Sequence, residues 1–294
     1  MTERSPHSIP EYLAFGDISV DVAVRLSHLP RPDEKMWAEV VGENPGGMAA
    51  NAAAAVAALG GRAGVVALVG DDRYGRTSLD DLQERGVDLR FVDTISASTF
   101  WTLALLAEDG EKCLIEFHTP AIQANWKGFD WSVLPEVKCV HAIADGDDWN
   151  LRLFKEARAV GGLTSLDLEG DVSQRTNLAE TLGLTDMLFV NAAAAASLDP
   201  DPWKATRRFH EMGAATVVLT RGAGGCLLLD RSGREHALRG HVVSVKDTTG
   251  AGDCFAGAFA FARLRGWSDL ECAELANLMA AMSTTALGSR GALL

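Results

Sequence analysis

The sequence predicts an α/β protein, built as a mostly parallel central sheet with helices on both faces plus a small separate β-sheet. Three observations carry that prediction. Between residues 139 and 219, short apolar runs alternate with longer amphipathic ones, as strands laid parallel and linked by helices do. Further on, the β-branched run 241–245 leads through a glycine turn, Asp247-Thr248-Thr249-Gly250-Ala251-Gly252-Asp253, into an apolar, alanine-rich helix over 254–262. Finally, three alternating stretches at 35–41, 99–106 and 112–118 interrupt the βα pattern, and a parallel sheet does not readily absorb them.

Each element has its own signal. Residues 1–11 are polar, carry Pro6 and Pro10, and read as a loose tail. Residues 12–24 read as a first strand that holds Gly16-Asp17-Ile18-Ser19-Val20-Asp21. Ionised groups are costly in such apolar surroundings unless paired or used, and Asp17 reads as a solvated strand end. After Pro30 and Pro32, residues 35–41 set Met36, Ala38 and Val40 against Trp37, Glu39 and Val41. Gly46-Gly47 opens a helix over 49–59 that ends at Gly60-Gly61. A strand at 65–69, a loop at 70–75 and a helix at 78–85 closed by Gly86 follow.

The stretches 99–106 and 112–118 flank Glu108-Asp109-Gly110-Glu111, whose Asp-Gly pair is a hairpin signal. Trp37, Phe100, Trp101 and Phe117 would be the apolar payload of the small sheet. Strand and helix then alternate through 139–143, 151–160, 163–168, 187–190, 202–212 and 216–219. The turn Thr220-Arg221-Gly222-Ala223-Gly224-Gly225 leads into a strand at 226–229. The expected organisation is a large domain of 12–32, 45–96 and 119–294, a small sheet of 33–44 and 97–118, and a tail of 1–11. Ligands of such a sheet lie at the carboxyl ends of its strands, where Asp21, Asn191, Gly222 and Asp247 fall.

Composition narrows the function. With 27 basic and 40 acidic residues, the formal charge of −13 argues against nucleic acid or an anionic membrane as partner. Five dispersed cysteines form no metal-ligand pattern, and reduced thiols in a cytoplasmic protein are the expectation. The alanine-rich runs at 49–58 and 192–196 are too short to span a bilayer.

The turn at 247–253 carries the chemistry. Gly250 and Gly252 let the backbone bring bare N–H groups close to a ligand, and the first turn of the following helix favours negative charge there. Asp253 is out of place if that cradle only binds phosphate. It fits if it takes a proton from a hydroxyl that attacks a phosphoryl group; the alternative is a helix N-cap. The patterns Gly-x-x-x-x-Gly-Lys-[Ser/Thr] and Gly-x-Gly-x-x-Gly are both absent, which weighs against a P-loop protein and a nicotinamide dehydrogenase.

The run Asp247–Asp253 resembles the C-terminal signature of the ribokinase-like (PfkB) carbohydrate kinases. Gly46-Gly47-Met48-Ala49-Ala50-Asn51-Ala52-Ala53 stands where that family has its N-terminal glycine motif. The resemblance spans about residues 12–294. It implies a ribokinase-like fold whose small sheet is a lid and often a dimer contact. It also implies transfer of the γ-phosphoryl group of ATP to a sugar hydroxyl, with Asp253 as base and the amides of Gly250, Ala251 and Gly252 as anion hole. Ser19, Asp21, Gly46, Gly47 and Asn51 would bind the sugar. Asn191, Thr220, Gly222, Gly225, Thr249, Gly250, Gly252 and Asn277 would contact the nucleotide. Mg2+ would be held largely through water, and Asp247, Thr249, Gly288 and Gly291 would frame a K+ site.

Two departures matter. The family's Asn-x-x-Glu is Asn191-Ala192-Ala193-Ala194 here, so the glutamate is missing, and Asp167 or Asp247 would have to replace it. Met48 and Ser19 stand where ribokinase usually has Lys and Asn, which weighs against ribose. Fructose, 2-keto-3-deoxygluconate, a modified ketose or a nucleoside remain open, with His118, Asp145 and Trp149 in segments that could line the pocket. The missing glutamate also motivates a reading from another class, a catalytically weak sugar- or nucleotide-binding protein.

Overall fold

The computed structural model describes residues 8–108, 112–143, 147–172 and 175–293. In chain order its elements are β1 (Tyr12–Phe15), β2 (Ser19–Leu26), β3 (Glu39–Gly46), α1 (Met48–Ala58), β4 (Ala63–Gly70), α2 (Arg73–Glu84), β5 (Asp88–Ile95), β6 (Phe100–Ala107) and β7 (Lys112–Phe117). Then come β8 (Cys139–Ile143), α3 (Asp147–Ala159), β9 (Leu163–Leu168), α4 (Leu178–Leu182), β10 (Met187–Asn191), α5 (Ala192–Leu198), α6 (Pro202–Glu211), β11 (Thr216–Thr220), β12 (Cys226–Leu229), β13 (Glu235–Leu238), α7 (Ala251–Leu264) and α8 (Asp269–Ser283).

The central sheet has nine strands in the order β13-β12-β11-β10-β9-β8-β1-β4-β5, parallel from β11 to β5, with β12 and β13 antiparallel at one edge. Its inner strands are buried on both faces, so they read as continuous apolar runs. Tyr12 and Ala14 point into one core, Leu13 and Phe15 into the other. The alanine-rich sequences of α1 and α7 have a packing reason. A Cβ on Gly257 of α7 would stand 3.0 Å from Ala55 Cβ of α1, so small side chains let the two backbones approach.

The small sheet differs from expectation. It has four strands, in the order β3-β2-β6-β7, because the single strand expected over 12–24 is two. The chain leaves the central sheet after Phe15, and Ser19–Leu26 pairs antiparallel with β3 and parallel with β6. Residues 19–26 thus belong with the small sheet, and the strand expected over 35–41 runs over 39–46 instead. Trp37 lies outside any strand and is 95% exposed, Phe100 is buried, and Trp101 stacks on Phe117 with ring centroids 3.9 Å apart. β6 and β7 pair antiparallel as expected, while Asp109-Gly110 lies outside the described residues.

Other differences have local causes. Residues 241–245 form no strand: the sheet ends at β13, and Val242 and Val245 face solvent without a neighbour to pair with. The edge strands β5 and β13 carry too many polar residues to signal themselves. Helix α2 begins at Arg73 because the Asp72 carboxylate accepts from the Gly75 amide as N-cap. Glu11 is no part of a loose tail: its buried carboxylate pairs with Arg265 at 2.8 Å and with Lys138 at 3.6 Å. Among the described residues, no helix is long and apolar enough to cross a membrane.

Candidate active site

The site lies where the chain passes between the two sheets. It leaves the central sheet through 16–18 and returns through Gly46-Gly47, and these crossings are brought together by the pairing of Ser19 with Gly46. A Cβ on Gly46 would stand 2.7 Å from Asp21 Oδ2 and 3.1 Å from Ser19 Oγ, so only glycine leaves room beside that polar pair. Gly47 adopts a φ of +99°, and a side chain there would meet the Asp17 carbonyl. Asp17 is not a solvated strand end. Its buried carboxylate accepts from the Met48 amide at 3.0 Å and the Ala49 amide at 3.5 Å, covering the N-terminus of α1.

Opposite this crossing, Gly250 turns with φ +75° into α7 and places Asp253 in its first turn. Asp253 is 8% exposed and accepts a 2.7 Å hydrogen bond from Asn51 Nδ2 of α1. Burial pushes its carboxyl up to about 7. The Asn51 hydrogen bond opposes that shift, and the negative charges of Glu169, Asp17 and Asp21 add to it. These acids come from separate elements, so their shared influence marks one convergent site. A carboxyl that titrates near neutrality can accept a proton at physiological pH.

Of the amides expected to form an anion hole, Ala251 is already engaged, donating to the Thr248 carbonyl at 3.3 Å. The amides of Gly250, Gly252 and Asp253 make no hydrogen bond to the described residues, and nothing lies within 4 Å of a Cβ placed on Gly252. The open amides are therefore those of 250, 252 and 253, because the turn hydrogen bond takes the middle one.

The C-terminal loop holds this arrangement from behind. Ser289 Oγ and Arg290 Nε both donate to Asn51 Oδ1, at 2.9 and 2.8 Å. Asp247 clamps the loop to the α7 turn, accepting from the Thr249 amide at 2.9 Å and the Gly288 amide at 3.0 Å. The Gly288 carbonyl accepts from the Gly291 amide. Asp247, Thr249, Gly288 and Gly291 are thus adjacent, but as a hydrogen-bonded clamp. Among the described residues, no group of three His, Cys, Asp or Glu side chains could hold a metal directly.

The ends of β9, β10 and β11 supply the remaining groups. Asn191 Oδ1 caps α5 through the Ala194 amide at 2.8 Å, and its Nδ2 donates to Glu169 Oε1 at 3.2 Å. The carboxylate beside Asn191 is therefore Glu169, contributed by the neighbouring strand, in place of one three residues downstream. Asp167 is buried, and its carboxyl is held well above the usual range by that burial, with Asp253 and Glu169 adding to the shift. Thr220 donates to the Val190 carbonyl at 3.3 Å, and Gly222, at φ +53°, borders open space. Gly225 instead turns the chain against the Leu238 carbonyl, where no side chain would fit, so its place is structural.

Asn277 is buried and donates to the Arg239 carbonyl at 2.7 Å. It lines a cavity of about 630 Å³ between α8 and the 238–241 segment, which none of the other expected site residues borders. His118 packs edge-on against Phe100 and Trp149 stacks on Trp126, so both have structural partners, while Asp145 lies outside the described residues. Sequence reasoning missed Glu169 and Arg290. Glu169 stands two residues after Asp167 at a strand end, which is a usable signal. Arg290 had none beyond its place in a glycine loop.

Comparison with known proteins identifies the family and the fold. The chain matches the pfkB family carbohydrate kinase over residues 10–293. It is 28% identical to the ATP-dependent ribose-1-phosphate kinase of Halopiger xanaduensis, covering 95% of this chain and 94% of that one. It is 26% identical to the ribokinase of Haemophilus influenzae, again over 95% and 94%. Its fold superposes on Arabidopsis thaliana ribokinase, solved with ribose and ATP, with a TM-score of 0.83, 24% identity, and coverage of 96% of this chain and 95% of that one.

Proposed function

The chain belongs to the pfkB family of carbohydrate kinases, and from that premise we propose that it transfers the γ-phosphoryl group of ATP to a hydroxyl of a small neutral sugar. One observation carries the reading: a carboxyl titrating at about 7 stands beside unengaged amides at a helix N-terminus, across from the Ser19–Asp21–Gly46 cradle.

In this reading Ser19, Asp21 and the second N–H of Asn51 orient the sugar, and Asp253 takes the proton of the attacking hydroxyl. The hydroxyl oxygen forms a bond to phosphorus as the bond to the ADP oxygen breaks. The amides of Gly250, Gly252 and Asp253 carry the charge on the transferring group. The open space before Gly252 and beside Gly222 fits a polyphosphate, with Thr220 along its course. Glu169 and Asn191 would hold Mg2+ through water. When bound, the ion supplies charge neutralisation on the phosphates. K+ at the 247–249 and 288–291 clamp is part of the proposal, as is a homodimer formed through the small sheet.

Neutral sugars are favoured over sugar phosphates on electrostatic grounds. Asp17, Asp21 and Glu169 already crowd Asp253, and each would repel a second phosphate. A coupled ADP-release screen with Mg2+ and K+ tests this, over ribose, fructose, 2-keto-3-deoxygluconate, ribose 1-phosphate and nucleosides. The expected result is turnover with a neutral sugar, lowered about 10²–10⁴-fold in Asp253→Asn. Calorimetric binding of sugar with no turnover across the panel would instead assign a binding protein.

A further inference from the structure

Among the described residues Arg290 is the largest fully buried side chain, 2% exposed, and each nitrogen of its guanidinium is committed. Nε donates to Asn51 Oδ1 at 2.8 Å, one terminal nitrogen pairs with Asp81 Oδ2 of α2 at 2.6 Å, and the other donates to the Gly46 carbonyl. One planar fork thus ties together the residue that bonds Asp253, the glycine that opens the sugar cradle, and a helix flanking the small sheet. Burying a cation this completely is costly unless it is fully paired. A hydrophobic residue of similar volume would hold the same elements together without that cost, so the specific donors are the informative feature.

We propose that Arg290 is a positioning residue for the phosphoryl transfer, acting through Asn51 and Gly46. The inference rests on the reading of Asp253 as the base. An amide side chain has two orientations that differ only by exchange of O and NH2. In the observed one, Oδ1 receives two donors, Arg290 Nε and Ser289 Oγ, and Nδ2 is left to face Asp253 Oδ2 at 2.7 Å. In the flipped one, NH2 would meet the Arg290 donor and the carbonyl oxygen would face a carboxylate, while Ser289 Oγ, 3.0 Å from the Pro45 carbonyl, could donate there and accept from the amide. Arg290, which can only donate, therefore selects the orientation in which Asn51 favours ionised Asp253, and Ser289 contributes less because its one proton is shared between Asn51 Oδ1 and the Pro45 carbonyl. The same guanidinium fixes the Gly46 carbonyl, and with it the distance from the base to the Ser19–Asp21 pair. Lysine cannot substitute, because one ammonium cannot reach three partners on three separate elements in a plane.

The test compares Arg290→Lys and Ser289→Ala with Leu82→Ala, which loosens the same helix α2 from its buried face by an apolar side chain that makes no hydrogen bond to Asn51. The readout is the titration of the Asp253 carboxyl by carbon-13 NMR without nucleotide or sugar, assigned by its loss in Asp253→Asn. The other groups that face Asp253 are Asp17, Asp21, Glu169, Asp167, Tyr12 and Cys254, and all are unchanged in these variants. Arg290→Lys is expected to raise the Asp253 midpoint by about one unit and the sugar KM by about tenfold. Ser289→Ala should give a smaller rise, and Leu82→Ala should lower thermal stability alone. If Arg290→Lys does not fold, Ser289→Ala decides. An unmoved midpoint in the folded variants, or an equal shift in Leu82→Ala, overturns the proposal. Because the titration needs no turnover, it stays readable even if the sugar screen fails, so the two failures are distinguishable.

Discussion

Asn51 on α1 donates a 2.7 Å hydrogen bond to Asp253 on α7, joining the two glycine motifs across 202 positions of sequence. Its consequence is electrostatic. Burial raises the Asp253 carboxyl to about 7, and this one hydrogen bond opposes that rise, while three nearby acids add to it.

The first prediction concerns pH. The proposed base works only when ionised, so kcat/KM for the sugar should rise about tenfold per unit up to a midpoint near 7 and then level. Asp17→Asn keeps a side-chain acceptor for the Met48 amide but removes one negative neighbour, so the midpoint should fall by roughly half a unit. A pH–rate profile for both proteins, at fixed ionic strength, checks this.

Stability should move the opposite way to activity. A carboxyl whose folded pKa exceeds its unfolded value of 3.8 costs the folded state nothing below pH 4. It costs progressively more as pH rises to about 7, and a constant amount above. Asp253→Asn should therefore unfold like the parent at pH 4 and be more stable at pH 8, by on the order of 1–4 kcal/mol. Urea unfolding at the two pH values measures it, and an equal effect at both would contradict the burial argument.

Gly46→Ala should separate sugar binding from nucleotide binding. The added methyl would crowd Asp21 Oδ2 and Ser19 Oγ from 2.7 and 3.1 Å, displacing the cradle but not the α7 turn. The expected result is a sugar KM raised about tenfold with the ATP KM little changed. Steady-state kinetics in both substrates distinguish this from general unfolding.

The exposed apolar groups around the small sheet predict self-association. Trp37, Val40, Leu114, Ile115 and Phe117 are all solvent-exposed in the single chain. Sedimentation should give about twice the 31.3 kDa chain mass, falling to one chain in Trp37→Glu combined with Leu114→Glu.

How much was legible in advance varied with the kind of information each feature depends on. The glycine turn before α7 announced itself, since a strand-like run, two glycines and an apolar helix are local signals. So did the alternation from 139 to 219, because a strand buried on both faces must be apolar throughout. The split of 12–24 into β1 and β2 was not legible, because both halves are apolar and only the neighbouring strands decide which sheet each joins. The run 241–245 has strand composition but joins neither sheet, and Val242 and Val245 stay exposed.

By itself, the sequence determined the α/β class and the glycine turns, because these follow from periodicity and from backbone freedom at single positions, while the candidate pair Asp21 and Asp253 came through the resemblance that the two glycine motifs carry. The tertiary structure alone decided that Glu169 stands beside Asn191, that Ala251 is the engaged amide, and that Arg290 lies behind Asn51. The physical reason is range. Secondary structure responds to neighbours a few residues away, whereas a hydrogen bond between side chains 239 positions apart, such as Arg290 to Asn51, exists only once the strands and helices have been stacked.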